Sequence, residues 1–431
     1  MLVGVASHGA TGHIYPLLGF ADAVLAAGHE VIILTGSSLV PWLTDLGYVA
    51  EPVGETTGWG VAQVQSRFPE LNTTMPADQA WRLDAELFGD ALPRAMAPAL
   101  VTAFESRRPD LVLYESTSFG AVLAAAELRI PAVCLDLWAV GRWHVKPAEL
   151  EQRVRAVWAE RSALALTLDP LLGLAHLDPA PPSLRIPAQT EGDSIRLPTR
   201  QIAWGDPRTS LTPWLTRHHS RPVVYLTLGT VGWGTVDLLR DALAGLTELP
   251  VDVLVAIGSY FDPNQLGPRP DSVRVERFVR QDLVLPQVDL AVHHGGSGTL
   301  LAAAAEGVPQ LVMPMGADQF QNADALAASG AGVALPQGGV TAAAVREGRT
   351  TADGGSEPSR GGEPDTQGDP HPADAGRADR RSDGSPGLTA SIRLTASRDR
   401  VGDVEVRLPG LPQRVHRDSR WGFHSCGLKL I

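Results

Sequence analysis

The stretch VDLAVHHGGSGTLLAAAAEGVPQLVMPMGADQFQNA, residues 288–323, decides the fold. A short apolar run ends in His293, His294 and a cluster of glycines. TLLAAAAEG then reads as a helix and PQLVMP as a second strand. Strand, turn, helix and strand at this spacing make a unit whose two strands run parallel. Asp318 and Gln319 follow the second strand, so they emerge at the same sheet edge as the glycine turn. Unpaired N–H groups at the helix start, together with the positive end of its dipole, favour an anion there. Gly295, Gly296 and Gly298 let the backbone approach a phosphate closely, Ser297 and Thr299 can add hydroxyl donors, and His294 a further one. An Asp-Gln pair beside such a seat suits hydroxyl recognition, because a carboxylate accepts and an amide does both. The plainer alternatives are a tight turn for the glycines and a helix N-cap for Asp318.

Working outward, the same alternation recurs on both sides. LVGVAS, HGATGH, IYPLLGFADAVLAAGH and EVIILTG form a βαβ opening over the first 36 residues, and PDLVLYES, FGAVLAAAELR and PAVCLDL repeat it. A second series starts at PVVYLTLGT (222–230) and runs through VDVLVAIGS, VRVERFV and VDLAVHHGG to GVALP. The expectation is an α/β protein of two facing, doubly wound, Rossmann-like domains, with ligands in the cleft at the carboxyl ends of the strands. The boundaries read from the chain are residues 1–200 for the first domain and 221–347 for the second. Residues 184–220 are rich in Pro, Arg and Thr without sustained periodicity, and 201–220 is taken as the linker. Between about 50 and 105 the pattern loosens, with Trp59, Phe68, Trp81 and Phe88 among polar residues.

Composition narrows the function. Hydrophobic residues make up 44% of 431 and mean hydropathy is close to zero, which fits a soluble globular chain. No signal-peptide pattern opens it and no apolar run approaches a membrane span. Two cysteines, Cys134 and Cys426, make neither a disulfide framework nor a metal cluster, so a reduced cytoplasm is expected. A net charge of -12 argues against a general nucleic-acid binder. No Asp-x-Asp motif occurs, so no metal and no cofactor are expected.

The segment from Phe278 to Gln319 resembles the nucleotide-sugar signature of family 1 glycosyltransferases with the GT-B fold, including the spacing from His294 through Gly307-Val308-Pro309 to Asp318-Gln319. GHIYPLL and HHGGSGTLL resemble the bacterial branch that glycosylates secondary metabolites with dTDP-deoxysugars. The resemblance covers about residues 1–345. It implies that His294 and Thr299, with the backbone between them, hold the diphosphate, and that Phe278 and Val279 flank the base. Gly229 and Thr230 would close on the phosphates or sugar, and Asp318 and Gln319 would hold sugar hydroxyls. Relatives that use UDP-sugars commonly carry a Glu where Ala302 stands here. A site without that carboxylate suits a deoxyribose, which lacks the 2′-hydroxyl. The implied partners are a nucleotide-sugar donor and a small-molecule aglycone, and a homodimer is compatible with the resemblance.

On the first βα turn, SHGATGHIYP places His13 beside Gly12, with Pro16 expected in the first helical turn. An imidazole there can take a proton from an acceptor hydroxyl as it attacks the anomeric carbon. Glu115, which ends a strand at the same sheet edge, can fix its tautomer. The resemblance gives His13 the general-base role and Glu115 that of its acidic partner, more often an Asp. His8 competes from the same turn but does not match the family's base. The loose 50–105 region and LWAVGRWHV, with Trp138 and Trp143, would bind a flat acceptor, or simply pack in the core. The leading reading is inverting transfer of a sugar from a dTDP-sugar to an aglycone hydroxyl. The alternatives are a nucleotide-sugar epimerase on this fold and a catalytically impaired relative that only binds nucleotide-sugar.

From Gly348 the character changes. Between 348 and 390 Leu388 is the only leucine-sized apolar side chain, so residues 348–431 are expected to be disordered. Relatives continue here with apolar helices. GC-rich codons read one nucleotide later would turn this segment into an Ala/Arg- and Pro-containing helical pattern. The hypothesis is an out-of-frame translation, and resequencing codons 346–349 decides it: a clean frame with no apolar alternative would sink it.

Overall fold

The structure, a computed structural model, describes residues 1–71, 80–141, 147–185, 195–200, 203–217, 219–229, 236–258, 261–336 and 338–353. Thr230, Trp143 and the segment from 354 onward lie outside the described residues.

The first sheet comprises β1 (Leu2–Ala6), β2 (Glu30–Thr35), β3 (Val49–Pro52), β4 (Leu111–Glu115), β5 (Ala132–Leu135), β6 (Ala175–Asp178) and β7 (Ile195–Pro198), in the order 3-2-1-4-5-6-7. The second comprises β8 (Val223–Thr227), β9 (Asp252–Ala256), β10 (Val273–Glu276), β11 (Leu290–His293), β12 (Gln310–Val312) and β13 (Gly332–Ala334), in the order 10-9-8-11-12-13. Every pairing is parallel. Such strands are covered on both faces, which is why β4, β8 and β9 are buried along their whole length and read as unbroken apolar runs. Each leucine- or valine-sized side chain in them contributes roughly 1.5–3 kcal/mol on burial.

In both sheets the order reverses at the strand that opens the domain. The crevices lie between β1 and β4 and between β8 and β11, where an open parallel sheet leaves room for a ligand. His13 and Glu115 follow β1 and β4. Gly229 and His294 follow β8 and β11. The expected doubly wound architecture is present in both halves.

Several local expectations are corrected. The first helix starts at Thr11 and runs to Ala26, so Pro16 lies inside it rather than in its first turn. The proline has no N–H to offer the Gly12 carbonyl one turn back, and the helix starts earlier because Thr11 and Gly12 already follow its path. The loose region after residue 50 is largely helical, with Thr57–Arg67, Ala80–Glu86, a π-helical turn Leu87–Ala91 and Leu92–Ser106. Within the aperiodic stretch 184–220 sit the edge strand β7 and a short helix, Pro213–Thr216. β7 is held through side chains as well as its ladder: Asp178, 2% exposed, accepts from Arg196 Nε at 2.5 Å and from Arg185 Nη2. The last described helix, Ala342–Asp353, runs six residues beyond the compositional break at 347. It stays docked because Gly348 packs on β12, where a Cβ would meet Leu311 Cδ1 at 2.8 Å. Among the described residues no helix is long and apolar enough to cross a membrane.

Candidate active site

On the β1–β4 side, Glu115 is fully buried and its carboxylate collects donors from the turn it begins. Thr117 N–H donates to Oε2 at 2.7 Å, Thr117 Oγ1 lies 2.7 and 2.9 Å from the two oxygens, and Ser118 Oγ donates to Oε1. His13 Nδ1 stands 3.4 Å from Oε1 and 3.1 Å from Thr117 Oγ1. Burial alone would raise the carboxyl. The charge of His13, its hydrogen bond, His8 and the Ser118 hydroxyl outweigh that and hold it at about 2. Burial likewise works against a charged His13, yet Glu115 and the more distant Asp318 raise it above its ordinary value. His13 keeps 24% of its side chain exposed.

His8 is 3% exposed and its Nε2 is 2.8 Å from the Thr117 carbonyl. Burial lowers its pKa, so it is a neutral donor inside the wall rather than a free base. Phe88, in the π-helical turn, tilts against His8 at 5.7 Å and lies nearly parallel to His13 at 6.4 Å between ring centroids. Trp59, Phe68 and Trp81 pack against the N-terminal core, as does Trp138.

Across the cleft, the helix Ser297–Ala305 begins directly after Gly296, and the N–H groups of Ser297, Gly298 and Thr299 have no partner within it. His294 is 7% exposed and its ring is clasped between two glycines. A Cβ on Gly229 would lie 2.5 Å from the ring, and one on Gly296 2.4 Å. Gly229 also has φ +79, a left-handed backbone that glycine adopts without a side-chain clash. Burial and the neighbouring His293 push His294 down to about 3, so it is neutral, and its buried Nδ1 has no hydrogen-bond partner. His293 accepts from Gly295 N–H at Nδ1 (3.0 Å) and meets Gln310 Oε1 at Nε2 (2.8 Å), which sets the turn from behind. That N–H is therefore turned away from any ligand.

Asp318 opens the helix Gln319–Ser329 but makes no side-chain cap bond. Its Oδ2 accepts from Ser297 Oγ at 2.7 Å and Asn322 Nδ2 at 2.8 Å. Ser297 thus gives its hydroxyl proton to Asp318, and its oxygen accepts from Ala139 N–H of the first domain at 2.9 Å. Gln319 is buried, and its Oε1 accepts from Met315 and Gly316 N–H, leaving only its NH2 to donate. Ala317, just before Asp318, has φ +51, a strained value for a residue with a Cβ. Phe278 is 54% exposed, and with Val279 it borders a pocket of about 220 Å³ that Thr209–Pro213 also line. Ala302 is buried in an apolar cluster with Tyr225 and Leu254.

Four residues had escaped the sequence reading. Thr117 bonds within the His13–Glu115 cluster, and Asn322 Nδ2 lies within 3.1 Å of Gly295 O, Ser297 Oγ and Asp318 Oδ2 in the other. Gln281 Nε2 donates to Thr299 Oγ1 at 3.2 Å, leaving the threonine proton free to point outward. Asp84 sits one helical turn before Phe88, and burial plus the charge of Asp318 push it up to about 7. The i, i+4 spacing of Asp84 and Phe88 was the available signal. Among the described residues no group of three His, Cys, Asp or Glu side chains is placed to hold a metal ion.

Comparison with known proteins matches this arrangement to one family. The description "Erythromycin biosynthesis protein CIII-like" fits as its N-terminal domain over residues 22–229 and as its C-terminal domain over 240–374. L-demethylnoviosyl transferase of Streptomyces niveus is 34% identical over 331 residues, 75% of this chain and 82% of that protein. Tylactone mycaminosyltransferase of Streptomyces fradiae is 32% identical over 378 residues, 78% of this chain and 81% of that protein. Among solved structures, glycosyltransferase VinC in complex with dTDP superposes with a TM-score of 0.66 at 26% identity, covering 82% of this chain and 91% of that one. SsfS6 from Streptomyces sp. SF2575, complexed with thymidine diphosphate, gives 0.65 at 28% identity, covering 82% and 93%. Two doubly wound sheets, each with its cluster at the switch point, and these matches across both domains lead to one conclusion: the chain belongs to the erythromycin biosynthesis protein CIII-like family of GT-B glycosyltransferases.

Proposed function

We propose that the protein transfers a deoxysugar from a dTDP-sugar to a hydroxyl of a natural-product aglycone, with inversion, in the cytoplasm and without a metal ion. The observation that carries the reading is His13, partly exposed and backed by Glu115, facing a donor seat whose Asp318 is close enough to raise its pKa. The acceptor O–H gives its proton to His13 Nε2 as its oxygen bonds to the anomeric carbon. The bond from that carbon to the β-phosphate oxygen breaks, and dTDP leaves with the electron pair. One in-line displacement inverts the centre. Charge developing on the diphosphate meets the free N–H groups at the start of the helix Ser297–Ala305, the Thr299 hydroxyl and neutral His294 as a donor. Asp318 and the Gln319 amide bind sugar hydroxyls. Phe278 and Val279 flank the base, and buried Ala302 offers no carboxylate to a ribose 2′-hydroxyl. Phe88, beside His13, forms the acceptor wall.

Supporting the choice of donor, two similar structures hold thymidine diphosphate, and similar relatives are named for transfer of L-demethylnoviosyl and mycaminosyl groups. The test is incubation of the purified chain, in EDTA, with dTDP-sugars and an aglycone panel. Acceptor-dependent dTDP release with an inverted glycoside supports transfer. Sugar interconversion without acceptor would mean an epimerase, and binding without turnover an impaired relative. Full transfer by His13→Ala would remove the base assignment.

A further inference from the structure

We propose that Thr117 is a positioning residue that, beside the direct approach of Glu115, holds His13 as the Nδ1–H tautomer through a hydroxyl that bridges the two groups; this rests on the reading of His13 as the base. Thr117 is fully buried and each of its polar groups has a partner in the same cluster. Its N–H donates to Glu115 Oε2, its carbonyl faces His8 Nε2 at 2.8 Å, and its hydroxyl lies 2.7 Å from Glu115 Oε2 and 3.1 Å from His13 Nδ1. A hydroxyl has one proton to give. Glu115 is ionised and can only accept, so the hydroxyl donates to it. The oxygen is then left to accept from His13, and Nδ1 must carry the proton.

The consequence reaches the reaction. With the proton on Nδ1, the lone pair of His13 is on Nε2, the nitrogen that meets the acceptor hydroxyl. When Nε2 takes that proton, Nδ1 keeps its own and its bond to Thr117. Glu115 stays a carboxylate and stabilises the imidazolium across 3.4 Å. His8 reinforces the device from behind, because its bond to the Thr117 carbonyl fixes the turn on which the hydroxyl is mounted. The Glu, one methylene longer than the Asp more usual in the family, reaches back to the Thr117 N–H and the Ser118 hydroxyl, which leaves room for a bridging hydroxyl between it and His13.

The experiment uses the full chain labelled with 15N-histidine, the His13 resonances being assigned by their loss in His13→Ala. At a pH where His13 is neutral, two-bond 15N–1H couplings report which nitrogen carries the proton. The wild type is expected as Nδ1–H, and an Nε2–H ring would overturn the proposal without any variant at position 117. Thr117→Val, which keeps the shape and removes the hydroxyl, is expected to move His13 toward Nε2–H. It should lower kcat about tenfold or more while changing either KM by less than about twofold. Thr117→Ser is expected to restore both tautomer and rate. Wild-type kcat with an unchanged tautomer in Thr117→Val would overturn the proposal. Full transfer by His13→Ala would overturn the base reading beneath it, which the spectra do not test.

Discussion

Replacing Glu115 by glutamine tests whether the buried carboxylate or merely its shape serves the site. The charge sits 3.4 Å from His13 Nδ1, a separation at which opposite unit charges attract by about 5 kcal/mol at an effective dielectric of about 20. Independently, a carboxyl whose pKa falls from 4.5 to about 2 has its charged form stabilised by about 3 kcal/mol. The two agree in scale, the smaller being net of desolvation. Since the folded pKa lies below the ordinary one, this stability is fully present above about pH 4.5 and is lost as pH falls toward 2. Glu115→Gln is therefore expected to unfold more easily at pH 7 by about 2–3 kcal/mol in urea. The stability difference should shrink in acid. His13 carries the opposite sign. Its raised pKa means that the wild-type rate climbs as pH rises through a value above 6.5, where the base loses its proton. Without the carboxylate that limb moves to lower pH, and the plateau kcat falls on the order of 100-fold because the imidazolium loses its counter-charge. A pH profile of kcat/KM from pH 5 to 9 reads both effects. An unmoved acid limb with most of the activity kept would refute the pairing.

Three further outcomes are expected. Gly229→Ala must hold a Cβ at positive φ, worth about 1 kcal/mol, and displace the His294 ring from 2.5 Å; calorimetry should find dTDP binding weakened about tenfold or more. Acceptor KM should stay put, and unchanged dTDP affinity would break the link between the clasped ring and the diphosphate. Asp318→Asn should leave dTDP affinity intact and lower kcat/KM for the sugar donor by about 100-fold; equal losses in both would mean that Asp318 only holds the turn. Asp178→Ala strips two arginines of their shared carboxylate at a 2%-exposed position. It should cost about 2 kcal/mol of stability with no change in donor binding, measured by urea unfolding with and without dTDP.

The parallel architecture was legible because β4, β8, β9 and β11 are buried on both faces and announce themselves as apolar runs. Strands β3, β6 and β7 were not. Each is four residues long and mixes in polar side chains, and β7 depends on the Asp178–Arg196 pair, which joins residues 18 apart. The glycine turn and the Asp-Gln pair could be placed on one edge because βαβ geometry fixes it. Their hydrogen bonds could not, since the partner of Ser297 lies 158 residues away at Ala139. Thr117 was hidden by its surroundings: a threonine between two serines before a helix looks like capping chemistry. Phe88 was visible as an aromatic, but its place beside His13 depends on the π-helical turn Leu87–Ala91, which apolar spacing does not reveal.

The bond from Ala139 to Ser297 bears on how such enzymes can be recombined. It joins the first domain to the hydroxyl that donates to Asp318, and the apolar cluster of Ala139, Leu184, Leu300, Leu301, Val312, Ala323 and Leu326 surrounds it. To the hydrogen bond itself the first domain supplies a backbone N–H, which every residue but proline possesses. A chimera with its crossover in the linker is therefore expected to accept a foreign first domain and keep this bond. It would need a small residue without a ring at 139 and serine at 297. What the crossing bond asks of an incoming first domain is therefore main-chain geometry, with the side chains at 139 and 184 the part that must still fit the apolar cluster.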